Sequence, residues 1–186
     1  DGGTIKLDGN YPTGTDNVAL GNTALDSVEA GGVQNTAIGA NAGTAITTGD
    51  NNTAVGRNSL KTNTTGHSNV ALGSSTLCKN VTGTRNVGIG LSALFNTLED
   101  SNTAIGASAM AANTTGEDNV AIGDNALTSS VSADNNVAIG MCAMKLNETG
   151  ACNVSVGRRS LDANISGSCN TAVGINSLTS LTTASN

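Results

Sequence analysis

Apolar and polar positions alternate in a short phrase that recurs along the chain, as in "NVAIG" at residues 119–123. Side chains alternate between the two faces of a strand, so Asn, Ala and Gly fall on one face and Val and Ile on the other. The pattern therefore predicts a strand of about five residues in each copy of the phrase.

The copies are evenly spaced. They begin at Asn17, Asn35, Asn52, Asn69, Asn86, Asn102, Asn119, Asn136, Asn153 and Asn170, with successive spacings of 18, 17, 17, 17, 16, 17, 17, 17 and 17. Such a short period is typical of a stacked repeat architecture. Apolar residues do not recur at three- and four-residue intervals, and Gly recurs twice in each unit, which argues against helices. We predict an all-β parallel β-solenoid of about ten coils over residues 14–186, with a truncated last coil and an N-terminal cap strand in residues 1–13.

Two further features complete the predicted coil. A second short strand is predicted at the [AS]-[LM] pair, as at Ala126 and Leu127. A turn is predicted at the "TTG" group, as at Thr65 and Gly66, where Gly is free to adopt positive φ. Two strands and two turns would then close each coil.

Stacking turns each position of the unit into a column, with neighbours about 4.8 Å apart. We predict that an Ile/Leu/Val column and a Leu/Met column face each other as a thin core. The first column contains Leu20, Ile38, Val55, Leu72, Ile89, Ile105, Ile122, Ile139, Val156 and Val173. The second contains Leu25, Leu60, Leu77, Leu94, Met110, Leu127, Met144, Leu161 and Leu178.

A column of small residues indicates that another surface approaches closely. It includes Ala37, Ala54, Ala71, Ala104, Ala121 and Ala138. That surface is either the opposite wall of the same coil or a neighbouring chain. Because chains with little core often oligomerise, we favour a seam with a neighbouring chain.

The Asn that opens each phrase forms another column. Its members include Asn52, Asn69, Asn119, Asn136 and Asn153. Stacked Asn side chains can hydrogen-bond along a stack, which predicts a structural ladder. Alternatively, Asn is present because it suits the turn before the strand.

Composition narrows the classes of function. The chain has no Trp, one Tyr and one Phe, so it cannot build a conventional aromatic core, and its net charge is only −6. Apolar residues at fixed positions argue for order. The eight basic residues are scattered and no apolar run approaches a spanning length, so we expect neither a nucleic-acid partner nor membrane insertion.

Candidate chemistry is sparse. The only His is His67, and no metalloprotease, P-loop, serine-hydrolase or EF-hand motif occurs. We therefore predict a protein without enzyme activity or cofactor. Asp100, Glu117 and Asp134 share one column, which is either solvated or a weak Ca²⁺ candidate.

Two of the four cysteines, Cys152 and Cys169, are stacked equivalents in adjacent coils. Their separation is close to what a disulfide spans, so they either form a disulfide or remain free thiols.

The unit "NTAIGASAMAANTTGEDNVAIG" at residues 102–123 resembles the head repeats of YadA-type trimeric autotransporter adhesins. It is also similar to the N-T-A-I-G repeat arrays of phage, bacterial and algal-virus tail-fibre-like surface proteins. The resemblance covers roughly residues 14–183, although the autotransporter repeat is usually shorter. It implies a left-handed β-roll, a side-by-side trimer, and a place in the head or shaft of an adhesive fibre.

The leading hypothesis is therefore a structural, adhesive fibre segment on a cell or virion surface. Its partners would be further copies of itself, in a homotrimer or filament, and a host-surface glycan or protein. The alternative is an ice-binding solenoid whose Thr-rich face contains Thr48, Thr65, Thr82, Thr115, Thr149 and Thr183. A third class, a polysaccharide-cleaving fibre, would need a carboxylate pair in a groove between chains.

Overall fold

The computed structural model describes residues 5–6 and 14–185, and within them the protein is a stack of short strands. The strands are β1 (Ile5–Lys6), β2 (Val18–Leu20), β3 (Thr36–Ile38), β4 (Thr53–Val55), β5 (Val70–Leu72), β6 (Val87–Ile89), β7 (Thr103–Ile105), β8 (Val120–Ile122), β9 (Val137–Ile139), β10 (Val154–Val156) and β11 (Thr171–Val173). They form one sheet in sequence order, and β2 to β11 are parallel. No helix occurs in the described ranges. The predicted parallel β-solenoid, with one copy of the phrase in each coil, is confirmed.

Neighbouring coils are in register, so equivalent residues lie directly above one another. Ala121 pairs with Ala138, one unit further along. The register also holds where the spacing changes, since Gly88 pairs with Ala104 across the short unit. The residue added in the 18-residue unit and the residue missing from the 16-residue unit therefore lie in turns. The strand columns continue in register through both units.

The N-terminal edge of the sheet has a different partner. Strand β1 runs antiparallel to β2, with Ile5 opposite Leu20. The predicted cap segment covered residues 1–13, and all of it except Ile5–Lys6 lies outside the described residues.

The small-residue column lies inside the coil. Ala37, Ala71 and Ala121 are 0% exposed in the single chain. A Cβ added at Gly88, in the same column, would lie 2.6 Å from Cγ2 of Thr76 and 3.5 Å from Cγ of Leu77. The close surface is thus the opposite wall of the same stack. The seam with a neighbouring chain that we favoured for Ala37, Ala54, Ala71, Ala104, Ala121 and Ala138 is wrong, because these side chains have no surface left for a second chain.

The strand turns its Ile/Leu/Val column outward. Leu72 is 45% exposed and Ile139 is 37% exposed, whereas Leu77 and Leu127 of the Leu/Met column are fully buried. The prediction that these two columns face each other is wrong for the first column. The space beside each Leu or Met accommodates only an Ala-sized side chain from the strand.

The [AS]-[LM] pair forms a turn and not a second strand. Leu60 has φ of 46° and Leu127 has φ of 52°, both in the left-handed region. A left-handed non-glycine residue costs about 1–2 kcal/mol. Burying a Leu side chain contributes about 1.5–3 kcal/mol, which offsets that cost. The turn therefore directs a Leu or Met side chain into the interior.

Gly43 interrupts the Leu/Met column, and a neighbour compensates for it. It has φ of 55°, so it keeps the same turn. A Cβ at Gly43 would lie 2.9 Å from Cδ1 of Ile46 and 3.0 Å from Cδ2 of Leu25. Ile46 is 1% exposed and fills the space that Leu or Met occupies in the other coils.

Glycine serves two different needs in each unit. Gly90, at the end of its phrase, has φ of 127°, and its Cβ would lie 2.6 Å from the carbonyl oxygen of Gly106. Gly66, in the "TTG" turn, lies outside the positive-φ region, so the predicted reason for that glycine is wrong. A Cβ at Gly66 would overlap the carbonyl oxygen of Gly83 and Oδ1 of Asn63. Close approach of the next coil therefore excludes larger residues there.

Candidate functional site

The Asn that opens each phrase forms a hydrogen-bonded ladder inside the stack. Oδ1 of Asn119 accepts the backbone N–H of Asn136 at 2.9 Å and its Nδ2 at 3.2 Å. Nδ2 of Asn119 donates to the carbonyl oxygen of Ala133 at 2.7 Å. The same pattern links Asn52 with Asn69. Oδ1 of each Asn therefore bonds to the Asn of the next unit, and Nδ2 bonds to the turn at the end of its own unit. One side chain thus stabilises both the stacking of coils and the turn.

A second column of buried polar residues lies eleven positions after the first Asn of the unit. Its members are Asn63, Asn80, Thr97, Asn113, Ser130, Asn147 and Asn164, all 0% exposed. Nδ2 of Asn113 donates to the carbonyl oxygen of Gly116 at 2.9 Å, and Nδ2 of Asn164 donates to Oδ1 of Asn147 at 2.7 Å. Sequence reasoning missed this column. The sequence signal for this column is an Asn three residues before the Gly of the turn. Thr97 and Ser130 replace that Asn in two units and so obscure the pattern.

The acidic column lies on an exposed corner and takes part in backbone capping. Oδ1 of Asp100 accepts the N–H of Thr84 at 2.7 Å, and Oδ1 of Asp134 accepts the N–H of Glu117 at 2.9 Å. Asp100 also forms an ion pair with Arg85 at 3.2 Å. These hydrogen bonds give Asp100 and Asp134 a structural role that requires no metal ion.

Glu117 is the member of that column without such a role. Desolvation raises the pKa of its carboxyl group, and the surrounding negative charges raise it further. Those charges are the carboxylates of Glu99, Asp100, Asp134 and Asp118. In the described part of the chain, no group of three or more His, Cys, Asp or Glu side chains is arranged to hold a metal ion.

The remaining candidate side chains lie on the surface. His67 is exposed, with Nδ1 3.4 Å from Oγ of Ser68. Cys152 and Cys169 are exposed free thiols, whereas Cys78 and Cys142 are partly buried free thiols in other columns. Burial raises the pKa of the Cys78 thiol.

The predicted Thr column is also exposed and lies on a turn, not on the sheet. Thr48, Thr65, Thr82, Thr115, Thr149 and Thr183 are all exposed. Ser132 and Ser166 occupy two further levels and are exposed as well, so hydroxyl groups follow one corner at almost every coil. At the shortened unit Glu99 instead stands in the column of the turn Gly, since its carbonyl oxygen accepts Nδ2 of Asn86 at 2.7 Å as that of Gly83 accepts Nδ2 of Asn69 at 2.8 Å.

One open depression of about 470 Å³ lies on a corner of the last coils. Its lining consists of Cys142, Lys145, Leu146, Arg159, Asp162, Ala163 and Thr179. Its lining therefore combines charges of both signs with apolar side chains.

The outer face of the sheet is a regular surface that runs along the stack, and we call it the outer strand face. It consists of the first and third residues of strands β2 to β11, thus Val or Thr beside Ile, Leu or Val. The aliphatic members with the greatest exposure are Val18 at 37%, Leu20 at 36%, Ile38 at 36%, Leu72 at 45%, Ile139 at 37%, Val154 at 36% and Val173 at 69%. Ten strands about 4.8 Å apart give this face a length of about 45 Å. Contiguous apolar surface of this extent is typical of an interaction site.

Comparison with known proteins adds no further assignment. The chain matches no protein-family model, no curated protein and no solved structure. No helix in the described residues is long and apolar enough to cross a membrane.

Proposed function

We propose that this chain is a structural, non-catalytic segment of an oligomeric attachment fibre, located outside the cell on a cell or virion surface. The observation that carries the proposal is the outer strand face, an apolar surface that runs the length of the stack. A single chain leaves it in water although the interior is already filled by Ala, Asn and Leu or Met. Association with further copies would remove it from water.

The face suits a second copy of the same chain. Each coil presents the same two side chains, Val or Thr and a branched or long aliphatic residue, so the surface has little variation along its length. Two such faces can meet without unpaired charges, because none of their members is charged. The trimer and the left-handed β-roll are the arrangement that the resemblance to adhesin head repeats implies.

The proposed role follows from the repetition. In-register coils give a rod, and a rod presents a binding surface at a distance from its anchor. The turn corners, which vary from coil to coil and carry the charged residues, would contact a host-surface glycan or protein.

The test is the mass in solution, measured by light scattering coupled to size exclusion. The chain mass is 18.2 kDa, and a trimer has three times that mass. The double variant Leu72→Asp with Ile139→Asp places two charges on the outer strand face. Since both side chains are substantially exposed in the single chain, the variant should fold and run as a monomer.

Leu146→Asp is the matched control. Leu146 is 47% exposed and apolar but lies on a corner, so the variant should keep the wild-type mass. A monomeric wild type would overturn the proposal, and so would a double variant that stays oligomeric.

A second candidate function, ice binding, is favoured by one observation, the row of exposed hydroxyl groups on the Thr corner. Thermal hysteresis of the wild type, lost on Thr65→Tyr and Thr115→Tyr substitution, would support it. Wild-type protein without hysteresis at millimolar concentration would remove this candidate.

A further inference from the structure

We propose that Cys152 and Cys169 form a redox site in which a small-molecule disulfide converts two free thiols into a cross-link between adjacent coils. This inference does not depend on the proposed fibre function. It rests on where the backbone places the two cysteines.

The backbone holds the two cysteines in register on both sides. Cys152 donates its N–H to the carbonyl oxygen of Asp134 at 3.0 Å, and Cys169 donates to that of Ala151 at 3.0 Å. On the other side, the N–H of Asn170 donates to Oδ1 of Asn153 at 2.9 Å. Coils paired in this way are about 4.8 Å apart. That spacing lies within the range of about 4.4–6.8 Å that Cα atoms joined by a disulfide span.

Both cysteines leave the backbone in the same direction. Cys152 has φ of 58° and Cys169 has φ of 62°, so their side chains project in parallel from one exposed corner. Parallel projection keeps the Cβ atoms roughly as far apart as the coils. Disulfides prefer a Cβ separation of about 3.8 Å, so closure draws the two side chains together by about 1 Å. An exposed disulfide that forms only after such a movement is readily reduced.

Cysteine is not needed for the fold at this position. The same left-handed position is occupied by Asn51, Ser68, Asp118 and Asn135 in other coils, and such polar residues suit it well. Two successive coils carry a thiol there instead. The local backbone would accept Ser or Asn equally, so the thiols are free for chemistry.

The reaction is a pair of thiol–disulfide exchanges. One cysteine thiolate attacks a sulfur of oxidised glutathione, which releases one glutathione thiolate and leaves a mixed disulfide on the protein. The second cysteine thiolate attacks the protein sulfur of that mixed disulfide and releases the second glutathione. Two protein thiols lose two protons and two electrons, and one glutathione disulfide becomes two glutathione thiols.

The other two cysteines provide an internal control. Cys78 and Cys142 are partly buried, occupy different columns and are separated by several coils. Burial also raises the pKa of Cys78, which lowers its thiolate fraction. The structure offers neither of them a partner.

The experiment incubates the full chain with mixtures of reduced and oxidised glutathione, blocks free thiols, digests with trypsin and maps the peptides without reduction. Arg158 and Arg159 lie between the two cysteines, so Cys152 falls in peptide 146–158 and Cys169 in peptide 160–186. We expect these two peptides joined in monomer-sized protein, and Cys78 and Cys142 blocked as free thiols. The Cys169→Ser variant should instead retain glutathione on Cys152.

Hydrogen exchange provides the second readout. Oxidation should slow exchange of the Asn170 amide and the amides of β11, and leave β4 unchanged. The Cys78→Ser, Cys142→Ser double variant should behave as the wild type. The proposal is overturned if Cys152 and Cys169 remain free at an oxidising ratio, if the cross-link forms only between chains, or if all four cysteines pair at random.

Discussion

The Asn ladder gives the sharpest stability prediction, for the variant Asn119→Ala. The substitution removes the acceptor of the Asn136 N–H and the donor to the Ala133 carbonyl oxygen, now paired at 2.9 Å and 2.7 Å. Asn136 and Ala133 are both 0% exposed, so water cannot replace the lost partners. Each buried group left unpaired costs about 1–3 kcal/mol, which gives a loss of roughly 2–6 kcal/mol in the free energy of unfolding.

The measurement is urea unfolding followed by far-UV circular dichroism. With a slope of about 2 kcal/mol per molar urea, the midpoint should fall by roughly 1–3 M. Thr115→Ala, which truncates an exposed side chain one coil earlier, should stay within about 0.5 kcal/mol of the wild type. Hydrogen exchange would place the loss in the coils around Asn119, because repeat stacks lose stability locally.

Asn119→Asp distinguishes the ladder from a simple turn preference. Asp suits a turn as well as Asn does, so a turn preference predicts little change. In the ladder, the carboxylate would be buried and would face the Ala133 carbonyl oxygen, which raises its folded-state pKa. Stability should then be restored as the pH falls through that pKa and lost as the pH rises. Near-wild-type stability of both Asn119 variants at neutral pH would refute the ladder argument.

Two further predictions concern backbone approach and charge. Gly90→Ala should cost about 3 kcal/mol or more, because it adds a contact at 2.6 Å with the Gly106 carbonyl to an unfavourable φ. Gly174→Ala has the unfavourable φ but no atom within 4 Å of the added Cβ, so equal losses in urea unfolding would contradict the steric account. Because the folded-state pKa of Glu117 is raised, its charged form opposes folding, and stability is lost as the pH rises through that pKa. Glu117→Gln should therefore stabilise slightly at pH 7, by less than about 1 kcal/mol since the side chain is exposed. The gain should vanish at acid pH and should shrink in 1 M salt, which screens the neighbouring carboxylates; a loss at pH 7 would contradict this sign.

The repeat period and the strand positions could be predicted because each unit repeats the same local pattern. The alternation in "NVAIG" divides the residues between two faces correctly, but it does not say which face is inside. Burial of the larger aliphatic residues is the usual expectation, and it places the Ile/Leu/Val column inside. The coil is too narrow for that, and Ala121 is inside while Ile122 is turned outward.

The turns could not be predicted because their conformations run against residue preference. Leu rarely adopts positive φ, yet Leu77 and Leu94 do so at 50° and 51°. Likewise, the sequence suggested that Gly66 needs positive φ, whereas the packing of the next coil is what excludes a side chain there. Both features depend on the neighbouring coil, which a single unit of sequence does not reveal.

The narrowness of the coil also accounts for the outer strand face. One unit holds a single large apolar side chain inside, such as Leu127, with room beside it only for Ala and a hydrogen-bonded Asn. The strand must still be built from residues that favour extended structure, and those are the β-branched ones. With the interior closed to them, Val120 and Ile122 and their equivalents can only point outward. The narrow interior is therefore filled by small residues and one Leu or Met, and the same steric limit leaves the strand's aliphatic side chains on the surface. That exposed apolar surface is the physical reason to expect that the stack works as part of an assembly.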